Sequence, residues 1–147
     1  MEQMMEIGTI KAVHIYTHRR LYVTAELELN LKGVRYTFGG HDVFVSGMHG
    51  GESSDPPYLG RFLFRCMQVC RVDNWDQLKS SKVLVEIQHG KVVAIADISG
   101  DNWFNPIKEF GAMDMEKEQM ESAFRDNSKP WYRPSLPLRA HYSSLIS

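Results

Sequence analysis

The sequence lacks the features that mark several large classes of protein. Its 147 residues contain only two cysteines and carry a formal net charge of −1 at pH 7. No apolar run approaches the ~20 residues of a membrane-spanning helix, and the N-terminal residues MEQMMEIG do not follow the pattern of a signal peptide. We therefore expect a soluble, intracellular protein of one main domain, with no bulk electrostatic attraction to nucleic-acid polymers or to membranes.

The cysteines and histidines form no recognisable metal site or catalytic motif. Cys66 and Cys70 stand four residues apart in a predicted helix, where a disulfide is geometrically poor, so we interpret both as core residues. The six histidines lack the H-E-x-x-H spacing of zinc enzymes, and no G-x-S-x-G motif occurs. We expect no metal and no cofactor.

The best acid–base candidate is His41, which is followed by Asp42 and preceded by a double glycine. A catalytic set could form if His41, Asp97 and Asp101 converge at one end of the predicted sheet. The sequence does not establish that convergence, and we expect no catalytic residue and no enzyme activity.

Hydrophobic periodicity predicts an α+β fold. Five segments have the character of strands, most of them with the alternation of a half-buried sheet: residues 7–16, 21–31, 34–38, 82–88 and 91–98. In the first, Ile10, Ala12, His14 and Tyr16 are expected on one face. A short apolar run over residues 43–45 is a candidate sixth strand. The prediction is a twisted, mostly antiparallel sheet of five or six strands with one main helix packed on a face.

The main helix is predicted from the apolar spacing of residues 59–70, with Ser54 or Asp55 as its cap and Pro56-Pro57 in its first turn. We divide the chain into an α+β domain over residues 1–111 and a C-terminal segment over residues 112–147. That segment begins with an acidic helix over residues 113–125. Residues 127–147 hold three prolines and many large apolar side chains, which predicts an extended arm that packs on its own domain or on a neighbouring subunit.

The stretch after the last predicted strand carries the densest set of ligand-binding residue types. Residues 101–106 read DNWFNP, and flat aromatic faces flanked by amides suit a planar polar ligand such as a nucleobase. The alternative is that Trp103 and Phe104 plug the open end of the sheet. On the main helix, Arg61 and Arg65 share a face and are candidates to clamp a phosphate, although such a pair can also form a solvated helix face.

Four motifs resemble those of a family of small phage-encoded proteins. They are Phe38-Gly39-Gly40 after the strand meander, V-x-x-W-x-x-L at Val72, Trp75 and Leu78, H-G-K-V at residues 89–92, and D-x-W-F-x-P at residues 101–106. The resemblance covers about residues 7–110. The chain departs from the family at His41, where an aromatic residue is expected, and in its glycine-rich loop.

The family in turn resembles the Thoeris anti-defence proteins, phage sponges that hold cyclic ADP-ribose isomers, and in some cases cyclic oligonucleotides, without cleaving them. This resemblance implies a phage counter-defence protein in the cytoplasm of the infected bacterial host. It implies a cyclic nucleotide signal as partner, and tight enclosure of such a ligand favours a homo-oligomer.

A sponge needs an aromatic face for adenine, guanidinium groups for a diphosphate and amides for ribose hydroxyls. Arg71 joins Arg61 and Arg65 as a source of guanidinium groups. The candidate ligand-binding residues are Phe38, His41, Arg61, Arg65, Asn102, Trp103, Phe104 and Asn105. Two other hypotheses remain: a protein-binding inhibitor of a host defence factor that uses the apolar tail or the acidic helix, and a small nucleotide-signal hydrolase centred on His41.

Overall fold

The computed structural model describes residues 4–47 and 57–125 of the chain. These residues form seven strands, two α-helices and one 3₁₀ turn. The strands are β1 (Met4–His18), β2 (Tyr22–Leu31), β3 (Val34–Gly39), β4 (Ser46–Gly47), β5 (Lys82–Gln88), β6 (Lys91–Ala96) and β7 (Trp103–Phe104); the helices are α1 (Tyr58–Cys70) and α2 (Pro106–Arg125), and the 3₁₀ turn is Trp75–Leu78. They divide into two compact units with a boundary between Gly111 and Ala112.

All strand pairs are antiparallel, and the sheet has the order β3-β2-β1-β5-β6-β7, with β4 paired to β2. The predicted α+β class is therefore confirmed. The predicted number of five or six strands is too low, because β4 and β7 contain two residues each and are too short to show a period. The apolar run over residues 43–45 is not a strand; the short strand follows it at β4.

The sheet is strongly curved. Strand β6 is the fourth neighbour of β3 in the sheet, so a flat sheet would separate the two strands by ~19 Å. Cα atoms of β3 and β6 nevertheless approach within 8 Å. The sheet therefore curls toward a barrel, and its inner face encloses the core.

A β-bulge at Lys11 supports this curvature and reverses the side-chain alternation of β1. Ile10 pairs with Leu29, but the next partner of β2, Glu28, pairs with Ala12. Because paired residues share a face, Ile10 lies on the inner face and Ala12 on the outer face. The prediction that Ile10, Ala12, His14 and Tyr16 share one face is wrong, since one extra residue shifts all later positions to the opposite side.

Aromatic rings fill the core between the inner face of the sheet and α1. Phe62 of α1 lies 5.5 Å from Phe38 of β3, 5.6 Å from Phe104 of β7 and 4.9 Å from Phe44, as measured between ring centroids. Each of these rings is at most 5% exposed. Such pairs add about 0.5–1.5 kcal/mol each beyond the burial of their area. This cluster therefore connects β3, the segment after β3 and β7 to α1.

The two helices begin differently from the sequence prediction. Helix α1 begins at Tyr58 with Pro57 at its cap position, and the hydroxyl of Ser46 in β4 accepts a hydrogen bond from the Leu59 N–H at 3.2 Å. Ser46 thus does what was predicted for Ser54 or Asp55, which lie outside the described residues. Helix α2 begins at Pro106, seven residues before the predicted start.

The start of α2 follows a common rule for helix N-termini. The side-chain oxygen of Asn105 accepts a hydrogen bond from the Lys108 N–H at 3.2 Å, and its carbonyl accepts one from the Glu109 N–H at 2.9 Å. Asn at the cap and Pro at the first helical position are both preferred residues there. Within the described part of the chain, neither helix combines the length and the hydropathy that a membrane span requires. The predicted arm over residues 127–147 lies outside the described residues.

A substitution at Gly39 tests the importance of the close approach between β3 and α1. Its φ is +89°, and a Cβ atom there would lie 2.5 Å from Phe62 Cζ and 2.8 Å from the Ala25 carbonyl oxygen. We expect Gly39→Ala to lower the free energy of unfolding by ~3 kcal/mol, because strain and overpacking add. Gly33→Ala is the matched control, since Gly33 has a φ of +85° but nothing within 4 Å, and we expect it to cost only ~1 kcal/mol. Equal losses in equilibrium urea unfolding would contradict the proposed steric role.

Candidate functional site

The centre of the candidate site is a buried arginine. Arg65 of α1 is 9% exposed. Its Nε donates to both carboxylate oxygens of Glu109 at 3.2 Å, and its Nη2 donates to the Trp103 carbonyl at 2.6 Å. Its Nη1 donates to the side-chain oxygens of Gln68 at 2.5 Å and Asn102 at 2.9 Å. One guanidinium therefore joins α1, the loop before β7, β7 itself and the first turn of α2.

The two arginines predicted to clamp a phosphate share a carboxylate instead. Arg61 Nε lies 2.6 Å from Glu109 Oε2, and Arg65 Nε lies 3.2 Å from the same atom. The Arg65 guanidinium also lies 5.1 Å from the centroid of the Phe104 ring. Arg65 thus has its donors committed to protein acceptors, whereas 44% of the Arg61 side chain stays exposed.

The loop before β7 is held from the other side by Asp97. Its Oδ1 accepts hydrogen bonds from the backbone N–H groups of Asp101 at 2.9 Å and Asn102 at 3.0 Å, and its Oδ2 accepts one from the Ser99 hydroxyl at 2.9 Å. The Asn102 N–H is the largest cause that lowers the pKa of Asp97 below its ordinary value. Asp97 is therefore an ionised anchor that fixes the position from which Trp103 projects.

Trp103 borders the larger of two clefts in this part of the structure, which we call the Trp103 cavity. It has a volume of about 380 Å³ and is lined by Glu86, Ala94, Trp103, Asn105, Lys108 and Glu109. Trp103 pairs with Ala96, while Phe104 pairs with Ile95, and these two positions face opposite sides of the sheet. Trp103 therefore lies on the outer face, and Phe104 points into the core.

The eight predicted ligand-binding residues fall into three groups. Arg61, Arg65, Asn102, Trp103 and Asn105 come together around Glu109. Phe38 is 1% exposed and Phe104 is 0% exposed, so neither ring offers a face to a ligand. For Phe104, the structure supports the alternative in which an aromatic residue plugs the sheet.

His41 belongs to a separate cluster with Tyr16 and His18, which we call the histidine cluster. The Tyr16 hydroxyl and His41 Nδ1 are 2.9 Å apart, and the rings of His18 and His41 stack with centroids 4.1 Å apart and an angle of 9° between their planes. Asp42 lies 3.5 Å from His41 Nε2. The structure joins Asp97 to Asp101 through Ser99 but gives His41 these other partners, so the convergence that a catalytic set would require is not formed.

Sequence reasoning missed Glu109, Glu86 and Lys108. Glu109 stood in the first turn of a helix, where the helix dipole favours an acid, but the start of that helix was not recognised. Its partners Arg61 and Arg65 lie 48 and 44 residues away in the sequence, beyond the reach of local patterns.

Comparison with protein-family models, with curated proteins and with solved structures gives no match.

The Arg65 contacts predict a large effect on stability. We expect Arg65→Met to lower the free energy of unfolding by ~3 kcal/mol, because it leaves buried acceptors without their donor. The matched control is Arg61→Met, which breaks a more exposed ion pair to the same carboxylate and should cost less than ~1 kcal/mol. Similar losses for both variants in urea unfolding would show that Arg65 is not the hub of this region.

The histidine cluster predicts a dependence of stability on pH. Loss of solvation and the neighbouring His41 lower the pKa of His18 below its ordinary 6.5. The unfolded chain then binds this proton more tightly, so the stabilisation from neutral His18 is present above pH ~6.5 and is lost as the pH falls through the lower folded pKa. Arg19, Asp42, Tyr16 and Glu26 are the other ionisable groups around the stacked rings.

We expect His18→Gln to flatten the rise in unfolding free energy between about pH 5 and pH 7.5. In a His41→Gln background the same substitution should have a smaller effect, because the charge that opposes protonation is gone. Unfolding curves in urea at several pH values measure both effects. A pH dependence that is unchanged by His18→Gln would refute the coupling.

Proposed function

We propose that the protein binds a cyclic nucleotide immune signal at the Trp103 cavity and sequesters it without cleaving it, as a phage counter-defence protein in the cytoplasm of the infected host. The observation that carries this proposal is the half-buried Trp103 side chain, which lines an open cleft of about 380 Å³ beside Asn105 and Lys108. The biological setting follows the motif resemblance at residues 38–40, 72–78, 89–92 and 101–106.

The lining of the Trp103 cavity suits one end of a nucleotide. An exposed indole face stacks on a planar base, which contributes ~1–3 kcal/mol per base in nucleic-acid sites. The side-chain oxygen of Asn105 caps α2, so its amide NH₂ group is the part that would donate to a ligand. Glu86 also lines the cavity, and its Oε2 accepts a hydrogen bond from Gln88 Nε2 at 2.7 Å.

The opposite end of a nucleotide is negative, and Lys108 is the cation on the rim of the cavity. It is exposed, and its position in the first turn of α2 places its charge beside a helix N-terminus. Arg61 does not line the cavity and is paired with Glu109. Lys108 is therefore the side chain that would meet a phosphate group there, beside the carboxylates of Glu86 and Glu109.

Binding without cleavage agrees with the way the ionisable groups are distributed. Asp97 has its oxygens bound to the Asp101 and Asn102 N–H groups and to Ser99, and His41 contacts Tyr16 and His18. Neither residue lines the Trp103 cavity. A hydrolase centred on His41 would therefore act away from the aromatic surface that holds the base.

A second candidate function, inhibition of a host protein, is favoured by one observation on the outer face of the sheet. Met5 is 61% exposed and Ile7 is 56% exposed. Their strand partners are Glu86 and Leu84 of β5, so these apolar side chains lie on the same face as the Trp103 cavity. An exposed apolar surface of this kind marks protein–protein contacts in many soluble proteins.

The proposed function predicts reversible capture of an intact ligand. The purified protein is mixed with cyclic ADP-ribose isomers and with cyclic di- and trinucleotides, and the free ligand is followed by chromatography before and after heat denaturation. We expect one ligand to disappear from solution and to return unchanged on heating, because the site binds and does not react. New products would identify an enzyme, and no loss of any ligand would favour a protein partner.

The variant Trp103→Ala tests whether the ligand is captured at the Trp103 cavity. We expect it to weaken binding by at least ~10-fold, in line with the loss of one stacked base. The Arg65 contact should persist, since its acceptor at this residue is the backbone carbonyl. Trp75→Ala is the matched control, because Trp75 is a half-buried tryptophan outside the cavity. Capture that survives Trp103→Ala unchanged would move the site elsewhere.

A further inference from the structure

A second cleft lies at the other end of the β5–β6 hairpin, and we call it the Arg71 cleft. It has a volume of about 320 Å³ and is lined by Val69, Cys70, Arg71, Ser81, Lys82, Asp97, Ile98 and Ser99. The C-terminus of α1, the start of β5 and the loop after β6 form its walls. None of its lining residues borders the Trp103 cavity.

Two exposed cations line the Arg71 cleft. The Arg71 side chain is 79% exposed, and its only acceptor among the described residues is Asp97 Oδ2, at the long distance of 3.5 Å. Lys82, the first residue of β5, is also exposed. Arg71 therefore differs from Arg61 and Arg65, whose guanidinium groups pair with Glu109. Of the three arginines considered as ligands of a diphosphate, Arg71 has the most exposed side chain.

The one carboxylate in the Arg71 cleft is already satisfied by its own loop. Asp97 accepts two backbone N–H groups and the Ser99 hydroxyl, and its side chain is only 10% exposed. Burial raises the pKa of the Cys70 thiol to about 11, so the thiol is neutral near pH 7 and adds no negative charge. The exposed charges among the lining residues are therefore positive, while the exposed Asp101 adds a carboxylate next to the lining, 3.1 Å from the Ser99 hydroxyl.

The backbone places Arg71 at the point where α1 ends. Arg71 is in the left-handed conformation, with φ 59° and ψ 43°, at a position where glycine is the usual residue. Ser80, next to Ser81 of the cleft, is also left-handed, with φ 74°. Because Arg19, Arg20, Lys32 and His89 share this conformation, it does not by itself mark a binding site, and the proposal rests on the exposed cations of the cleft.

We propose that the Arg71 cleft binds the oxygen atoms of a phosphate group, with the Arg71 guanidinium and the Lys82 ammonium as charged donors. The Ser99 hydroxyl borders the same space, but it faces Asp97 Oδ2 at 2.9 Å and Asp101 Oδ2 at 3.1 Å, so it is not one of the proposed donors. A guanidinium presents its N–H groups as a planar fork that matches two phosphate oxygens, and a lysine adds a point charge. The proposal does not depend on the Trp103 cavity or on a nucleobase, because the two clefts share no lining residue.

The test is a titration of the ¹⁵N-labelled protein with pyrophosphate, inorganic phosphate, AMP and, as an uncharged control, adenosine. We expect saturable changes in the amide signals of residues 71, 82 and 97–100 with each phosphate compound and none there with adenosine. Equal affinities for pyrophosphate and AMP would indicate recognition of the phosphate group alone. Tighter binding of AMP would indicate a nucleotide as the source. Absence of changes with every phosphate compound would refute the proposal.

Arg71→Gly is the most informative variant, since glycine suits the left-handed conformation and the fold should be retained. We expect it to weaken pyrophosphate binding by ~10-fold or more. Arg19→Gly is the matched control: Arg19 is exposed and left-handed, with φ 57°, but lies in the turn after β1. An equal loss of pyrophosphate affinity with Arg19→Gly would show that the effect is general electrostatic attraction. No loss with Arg71→Gly would show that Arg71 does not bind phosphate, and either result would contradict the proposed site.

The variant Lys82→Gln measures the contribution of Lys82 to phosphate binding independently of Arg71. Lys91→Gln is its control, because Lys91 is the exposed first residue of β6 and does not line the cleft. We expect Lys82→Gln to weaken pyrophosphate binding several-fold and Lys91→Gln to leave it unchanged. Ligand capture at the Trp103 cavity should persist in Arg71→Gly, so a failure of this proposal and a failure of the proposed function would be seen in different experiments.

Discussion

The structure around β7 depends on one buried positive charge. Removing a guanidinium from water costs several kcal/mol unless acceptors replace the water, and Arg65 finds them on four separate segments. The Glu109 carboxylate neutralises the charge, and the Trp103 carbonyl fixes the two-residue strand β7. Because β7 is too short to hold itself by sheet bonds, its geometry comes from Arg65 on one side and from the Asp97 loop on the other. The direction of the Trp103 indole is a consequence of these two anchors.

This use of charge decides where an anion can bind. Arg61 and Arg65 are engaged with Glu109, so their charge serves the fold first. The cations left at the surface of the two clefts are Lys108 at one and Arg71 and Lys82 at the other. Along β5, Lys82 of one cleft and Glu86 of the other are ~13 Å apart, the length of four residues of strand, whereas Ala96, the strand partner of Trp103, directly precedes Asp97. Two chemically different surfaces, one aromatic and one cationic, therefore lie along the same hairpin.

Much of the fold was predictable because the alternation in β2 and β5 and the helical spacing in α1 are local. The bulge at Lys11 was not, since one extra residue leaves the composition of β1 unchanged while it reverses the faces of Ala12, His14 and Tyr16. The start of α2 was readable from Asn105-Pro106, but those residues were interpreted as ligand contacts. The role of Arg65 was hidden, because its acceptors lie 37 to 44 residues away and a helix pattern cannot show which face a later segment covers.

The size of the Trp103 cavity sets a limit on what a single chain can enclose. At about 380 Å³ it lies near the lower end of the ~300–1,000 Å³ of small-molecule sites. Under the proposed function, one base would stack against the Trp103 indole, and a ligand with two ribose or phosphate groups would extend beyond a cleft of this size. Tight sequestration needs most of the ligand surface to be covered, because exposed parts contribute little to the affinity. If the proposed function holds, a single copy of this surface would cover only part of the ligand, and the exposed Met5 and Ile7 on the same face are apolar area that a second protein surface could cover.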